Sequence, residues 1–201
     1  MRLAKRKRSL PRCQQRLAKQ CGLPWFAVSG TLRCMFSLKG KNAVVTGAGS
    51  GIGQAIALAF AKQGARVDVL EINTEAAGET VEKIRSEGGE ANAVECDVTR
   101  HDHVQEVFDK LGIDRGGLDC LINNAGIAHV GNITNTSEAD FDRVMSVNLK
   151  GVFNCLKGGV QQMLKSGGGS IVNIASTVPT KANNERLAYS TSKCGVLAIT
   201  Y

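Results

Sequence analysis

Apolar and polar positions along this chain follow two rhythms that take turns. Ala43-Val44-Val45 is a short apolar run, the length of a strand buried in a parallel sheet. It breaks into Thr46-Gly47-Ala48-Gly49-Ser50-Gly51-Ile52-Gly53, and helical spacing then runs from Gln54 to Gln63 before Gly64 stops it. Arg66–Glu71 reads as a second strand, Glu75–Glu87 as an amphipathic helix closing at Gly88-Gly89, and Ala91–Cys96 as a third strand leading into Asp97-Val98-Thr99. His101–Leu111 is helical, with Val104, Val107 and Phe108 on one side, and Leu118–Ile122 is a fourth strand stopped by Asn123-Asn124-Ala125-Gly126. Ser137 begins a long helix on which Phe141, Val144, Met145, Asn148, Val152, Phe153 and Leu156 recur at helical spacing. Gly167–Gly169 is a turn, Ser170–Ala175 a fifth strand, and another helix starts at Leu187.

This alternation predicts an α/β fold, a doubly wound parallel sheet with helices on both faces. Right-handed crossovers stack its strands in the order 3-2-1-4-5, with the ligand crevice at the carboxyl end of the first strand. The glycine turn, Glu71, Asp97 and the Asn123–Gly126 turn all fall at carboxyl ends.

Charge divides the chain. Eleven of the 25 Lys and Arg lie in residues 1–41, ahead of the first acidic residue, Asp68; the remaining 14 against 18 Asp and Glu leave residues 42–201 at −4. Residues 1–34 join this basicity to Pro11, Pro24, three cysteines and an interrupted apolar run, so they are expected to be a basic, disordered leader outside the fold. Three origins stay open for the leader. Met35 is the true start and the leader a translation artefact, or the leader is an organelle transit peptide, or it is a basic arm able to touch nucleic acid or anionic lipid. No nucleic-acid partner is expected, because its basic residues lack interleaved aromatics. No stretch reaches the ~18 consecutive apolar residues of a membrane span, so no membrane partner is expected either. Seven cysteines without C-x-x-C or metal spacing argue for reduced thiols, a cytoplasmic location and no metal.

The glycine turn between strand and helix aims backbone N–H groups at a phosphate, although a tight turn needs glycine for steric reasons alone. Glu71 lies 18 residues past Gly53, near the ~20-residue offset at which an acid meets the adenosine ribose hydroxyls. A carboxylate there accepts from the 2′-OH and repels a 2′-phosphate, which favours NAD over NADP. Asp97 is placed either to bond the adenine amino group or to cap the next helix.

At the other end of the chain, Tyr189 and Lys193 are four residues apart and share one helix face. A tyrosine of ordinary pKa about 10 is a poor base, and a neighbouring ammonium stabilises its phenolate. Ser176, after the fifth strand, is placed to bond the same substrate oxygen, and Asn148 on the facing helix to hold a water behind the lysine.

With these motifs in order, the chain resembles the short-chain dehydrogenase/reductase family in its simple NAD(P)-dependent form. The matching elements are T-G-x-x-x-G-I-G at Thr46–Gly53, the Asp97 turn, N-N-A-G at Asn123–Gly126, V-N-L at Val147–Leu149, Ser176 thirteen residues before the tyrosine, and Y-x-x-x-K at Tyr189–Lys193. They cover residues 38–201. The resemblance implies a Rossmann-type domain over residues 35–201, with Gly47, Ser50, Gly51, Ile52 and Gly53 around the pyrophosphate. It places Glu71 on the ribose, Asp97 and Val98 beside adenine, and Asn124, Ala125 and Gly126 along the cofactor wall. It makes Tyr189 the general acid/base, Lys193 the partner of the nicotinamide ribose and of Tyr189, Ser176 the group polarising the carbonyl, and Asn148 the anchor of a relay water. The implied reaction is hydride transfer between NAD(H) and a secondary alcohol or ketone.

Glu71 stands where aspartate is commoner, and the chain stops at Tyr201 where family members continue with two more strands and a substrate-covering loop. A C-terminally truncated fragment is therefore expected, with the fifth strand as an open edge. Two alternatives follow: an NADPH-dependent 3-oxoacyl-carrier-protein-type reductase, and a non-catalytic dinucleotide-binding fragment. Lys181, Asn183, Asn184, Glu185 and Arg186 are expected along one pocket wall and His129 and Val130 along the other. The resemblance also implies a homodimer or homotetramer built on the helices that begin near Phe141 and Tyr189.

Overall fold

The computed structural model describes residues 37–178 and 185–201. The leader, its alternative start at Met35, and the pocket positions Lys181, Asn183 and Asn184 lie outside the described residues.

Five parallel strands form one sheet in the order β3-β2-β1-β4-β5, the predicted doubly wound order: β1 Asn42–Thr46, β2 Arg66–Glu71, β3 Glu90–Glu95, β4 Cys120–Asn123 and β5 Ser170–Asn173. The intervening helices are α1 Gly51–Lys62, α2 Thr74–Ser86, α3 His101–Arg115, α4 Glu138–Met145, α5 Gly151–Lys165 and α6 Leu187–Thr200. Each residue of β1 is buried, because the sheet is covered on both faces. Strand parity divides the core. Ala43 and Val45 join Val67, Val69, Ala57, Ala61, Val81 and Ile84 on the side of α1 and α2, while Val44 joins Leu70, Leu121, Val104, Phe108 and Met163 on the side of α3 and α5.

One element departs from the sequence pattern. The single long helix expected after Ser137 is interrupted by a π-turn at Ser146–Lys150, where the Gly151 N–H bonds back to Ser146 O. One extra residue in the turn rotates the helix beyond it by about 100°, so Phe153, on the expected apolar stripe, is exposed while Asn154 and Cys155 are buried. Ser137 does begin the helix as expected, its hydroxyl accepting from the Asp140 N–H at 3.1 Å.

A second feature went unread in the sequence. Asp68, on β2, is buried and pairs with Arg115 at the end of α3, with Nη2 to Oδ1 at 2.6 Å and Nε to Oδ2 at 3.2 Å. This two-pronged pair bolts α3 to the sheet. Among the described residues β5 pairs only with β4, leaving Val172 on the sheet's outer edge 49% exposed. Among the described residues no helix is long and apolar enough to cross a membrane.

Candidate active site

The sequence places Thr46 at the carboxyl end of β1, and its hydroxyl organises the turn that follows. Thr46 Oγ1 accepts from the N–H groups of both Asn124 and Ala125 at 3.0 Å, and the Asn124 side chain donates to the carbonyls of Thr46 and Gly47 at 3.0 Å. The N-N-A-G turn after β4 is thereby tied to the glycine turn after β1. Gly47 has φ +63, and a Cβ there would lie 2.8 Å from the Ala125 Cα, so neither shape nor space admits a side chain. Gly51 has φ +55 but faces open space, at the uncapped start of α1, where the Ser50 side chain makes no capping hydrogen bond. The first N–H groups of α1 are thus left for another acceptor.

Gly53 corrects an expectation. It is buried and does not line the cavity; a Cβ there would strike Gly47 O and the Asn124 side chain. Its role is to let α1 close on the turn.

The turn opens on a cavity of about 860 Å³, within the range of about 300–1,000 Å³ usual for ligand sites. Gly47, Ser50, Gly51 and Ile52 line its near wall, Glu71, Asp97 and Val98 one end, and Ser176, Tyr189 and Lys193 the other. Asn124, Ala125 and Gly126 lie between. All the predicted cofactor residues except Gly53 therefore meet in one space.

Glu71 is anchored before any ligand arrives. Its Oε2 accepts from the Gly49 N–H at 3.1 Å, and its Oε1 from Ile72 N at 2.9 Å and Asn73 N at 3.3 Å. The carboxylate thus clamps the glycine turn to the entry of α2. Arg143 and Lys193 are the only Lys or Arg among the described lining residues. Asp97 neither caps α3, whose N-cap is Arg100, nor points idly outward; its Oδ1 accepts from Thr99 N at 2.9 Å and Thr99 Oγ1 at 2.7 Å, shaping the turn that carries Val98. Cys96 lines the same end, its thiol pushed up to about 11 by burial and by Asp97.

At the opposite end, α6 projects Tyr189 and Lys193 from one face. Lys193 is 5% exposed, its Nζ 5.9 Å from the centroid of the Tyr189 ring and 2.7 Å from the Ile174 carbonyl to which it donates. Burial lowers its ammonium pKa from the ordinary lysine value. The Ser176 hydroxyl accepts from the Val178 N–H at 3.1 Å.

Asn148 is held between the segment after β4 and α6. It is fully buried on the π-turn, both its amide hydrogens are committed, to Ile127 O at 2.9 Å and Ser192 Oγ at 3.0 Å, and its Oδ1 accepts from Ile127 N at 2.8 Å. A side chain bonded this way joins the segment after β4 to α6 beside Lys193. The expected pocket walls shift. His129 turns toward Asp140, with Nε2 to Oδ2 at 3.7 Å, and Val130 is 60% exposed; Ile127 and Ala128 line the cavity instead. Arg186 donates from Nη1 to His129 O at 3.3 Å, while Gly131 N bonds Glu185 O and Leu187 N bonds Gly131 O, both at 3.0 Å. These contacts clip the segment after β4 to the start of α6.

Arg143, Ile127 and Ala128 line the cavity without having been singled out in the sequence, and Val147, named there only as part of V-N-L, lines it too. Arg143 and Val147 are one helical turn apart and precede Asn148, so the face they share was the available signal.

The sequence pattern of the short chain dehydrogenase family matches residues 41–201. The chain belongs to the short-chain dehydrogenase family. An uncharacterized oxidoreductase of Thermotoga maritima is 45% identical over 164 residues, which are 82% of this chain and 64% of that protein. A D-threitol dehydrogenase of Mycolicibacterium smegmatis is 38% identical, over 82% of this chain and 64% of its own. Among solved structures, an NAD⁺-bound xylitol dehydrogenase superposes with a TM-score of 0.78 at 37% identity, covering 81% of this chain and 63% of its own. This short-chain dehydrogenase chain spans a little under two thirds of the length of these relatives.

Proposed function

We propose that this chain carries the cofactor seat and the catalytic residues of an NAD-dependent oxidoreductase that interconverts a secondary alcohol and its ketone. The observation that carries the reading is the buried Lys193 ammonium beside Tyr189, at one end of a cavity whose other end is closed by the anchored carboxylate of Glu71. The residues fit a dinucleotide. The uncapped N–H groups of α1 with Gly51 would hold the pyrophosphate, Glu71 the adenosine ribose, Asp97 and Val98 the adenine, and Lys193 the nicotinamide ribose. A dinucleotide held there would supply the hydride acceptor, taking the carbinol hydrogen with its electron pair.

The chain's own groups manage the proton. In alcohol oxidation Tyr189 takes the hydroxyl proton as the C–H bond breaks and the C=O bond forms; in ketone reduction it returns that proton to the oxygen. A cation 5.9 Å from the ring stabilises negative charge developing on the phenol oxygen. Ser176 donates to the same substrate oxygen and fixes its distance from Tyr189. Asn148 braces Ile127 against α6 and so keeps Lys193 facing the cavity.

NAD is favoured over NADP because Glu71 would meet a 2′-phosphate with like charge. The D-threitol and xylitol dehydrogenase relatives support a polyol as substrate. A homodimer or homotetramer through α5 and α6 fits Phe153, Val160, Leu164 and Leu197, which are all exposed on those helices. The test is turnover of a polyol panel with NAD and with NADP. NAD-dependent oxidation of a polyol is expected. A strong preference for NADPH with a 3-oxoacyl thioester would overturn both the cofactor and the substrate, and dinucleotide binding without turnover of any alcohol would leave only a binding module.

A further inference from the structure

Val98 forms part of the cavity wall at the Asp97 end, and the groups that hold it there lie one layer deeper. Gly151 and Asn154, on the first turn of α5, both meet Val98 from behind. A Cβ on Gly151 would sit 2.7 Å from Val98 Cγ2, so the helix approaches as closely as a backbone can. Asn154 is fully buried, and its Nδ2 donates to the Val98 carbonyl at 2.8 Å.

That contact fixes the orientation of everything behind it. A carbonyl only accepts, so the amide nitrogen must face Val98 and the Asn154 oxygen must face away. That oxygen lies 2.9 Å from His101 Nδ1, which must therefore carry the ring hydrogen. His101 Nε2 is then an acceptor, and the Lys157 ammonium lies 3.4 Å from it. The imidazole also stacks on Phe153, with ring centroids 6.4 Å apart and planes at 22°, while Gln105 Nε2 donates to the Asn154 carbonyl at 3.0 Å. An ordered chain of donors and acceptors thus runs from the exposed Lys157 through His101 and Asn154 to the cavity wall.

We propose that Asn154, oriented by His101, is a positioning residue for the adenine half of the cofactor: it sets the height of Val98 in the wall on which the base rests. The inference rests on the reading of the Asp97–Val98 end as the adenine seat. A residue that merely filled space between α3 and α5 would not need a polar amide, fully buried, donating to the carbonyl of a cavity-lining residue. Losing that donor leaves a buried carbonyl unpaired, and Val98 relaxes toward a new partner.

The experiment measures affinity of the 201-residue chain for ADP, NADH and reduced nicotinamide mononucleotide, which lacks the adenosine half. Asn154→Leu is expected to weaken ADP and NADH about tenfold, the effect of one lost buried hydrogen bond, and to leave the mononucleotide unchanged. His101→Phe, at a partly exposed site, keeps the stacking on Phe153 but removes the donor to Asn154. It is expected to weaken ADP by about threefold, as a lesser, indirect hydrogen-bond loss, and serves if Asn154→Leu fails to fold. Met163→Ala, a cavity in the same core away from the wall, should lower the melting temperature without changing ADP affinity. Unchanged ADP affinity in folded His101→Phe, or equal weakening of ADP and mononucleotide, overturns the positioning role while leaving the adenine seat standing. A wild-type chain that binds the mononucleotide but not ADP refutes the adenine seat itself, and the proposal with it.

Discussion

The Nζ of Lys193 lies 5.9 Å from the centre of the Tyr189 ring and is held there by a 2.7 Å hydrogen bond to the Ile174 carbonyl. One carbonyl is a poor substitute for the hydration shell of an ammonium, so the charge is kept in place at a cost to the fold.

That cost has a pH signature. Burial lowers the Lys193 pKa below its unfolded value, so between the two values the unfolded chain binds more protons than the folded one. The penalty is fully present below the lowered folded pKa and vanishes as pH rises to the ordinary lysine value. The stability of the wild type relative to Lys193→Met should therefore rise as pH goes from neutral toward 10.5. Urea midpoints of both proteins across that interval check it; a constant difference would mean that Lys193 is not destabilised by burial.

The glycine turn makes a steric prediction. Gly51→Ala meets open space and pays only for its left-handed backbone, about 1–2 kcal/mol, whereas Gly53→Ala drives a methyl into Gly47 O and should lose about 3 kcal/mol. Denaturant titration of the two variants should keep that order. The reverse order would contradict the placement of Gly53 behind the turn.

Glu71 clamps the turn, and the proposed preference for NAD rests on its charge. Glu71→Gln keeps the shape, loses the negative charge, and replaces one accepting oxygen with a donor facing N–H groups. NADH affinity should fall about tenfold, as for one lost charged hydrogen bond, while the preference for NADH over NADPH shrinks. Competition binding reads both numbers, and an unchanged preference would remove Glu71 from the choice of cofactor.

The Asp68–Arg115 pair belongs to the fold and not to the cavity. Asp68→Asn removes the buried carboxylate and leaves the half-buried Arg115 guanidinium to the longer ion pair with Glu90 at 3.6 Å, which should cost about 3 kcal/mol. Folded variant should bind NADH as the wild type does; a change in affinity without a change in stability would contradict this assignment.

The sheet order and most of the site could be read from residues alone, because strand runs, glycine stops and carboxyl-end motifs are local signals that right-handed crossovers then assemble. Three things escaped that reading, each for a physical reason. Apolar residues recur at helical spacing in the sequence through the π-turn at Ser146–Lys150, so periodicity passes over the rotation it introduces. The Asp68–Arg115 pair joins residues 47 apart in sequence, and no local pattern announces a buried charge's partner. Asn148 was recognised, but nothing near it in sequence reveals that Ile127 and Ser192 take both of its amide hydrogens.

Tyr189 stands at the centre of the account, and its replacement by phenylalanine removes one oxygen atom while keeping the ring beside Lys193. The decisive measurement follows NADH formation from NAD and a polyol by wild-type and Tyr189→Phe protein, with NADH affinity measured on both. Affinity should be unchanged and the rate of Tyr189→Phe lower by about 10²–10⁴, the range supplied by a positioned acid or base. Turnover by Tyr189→Phe equal to that of the wild type would contradict it.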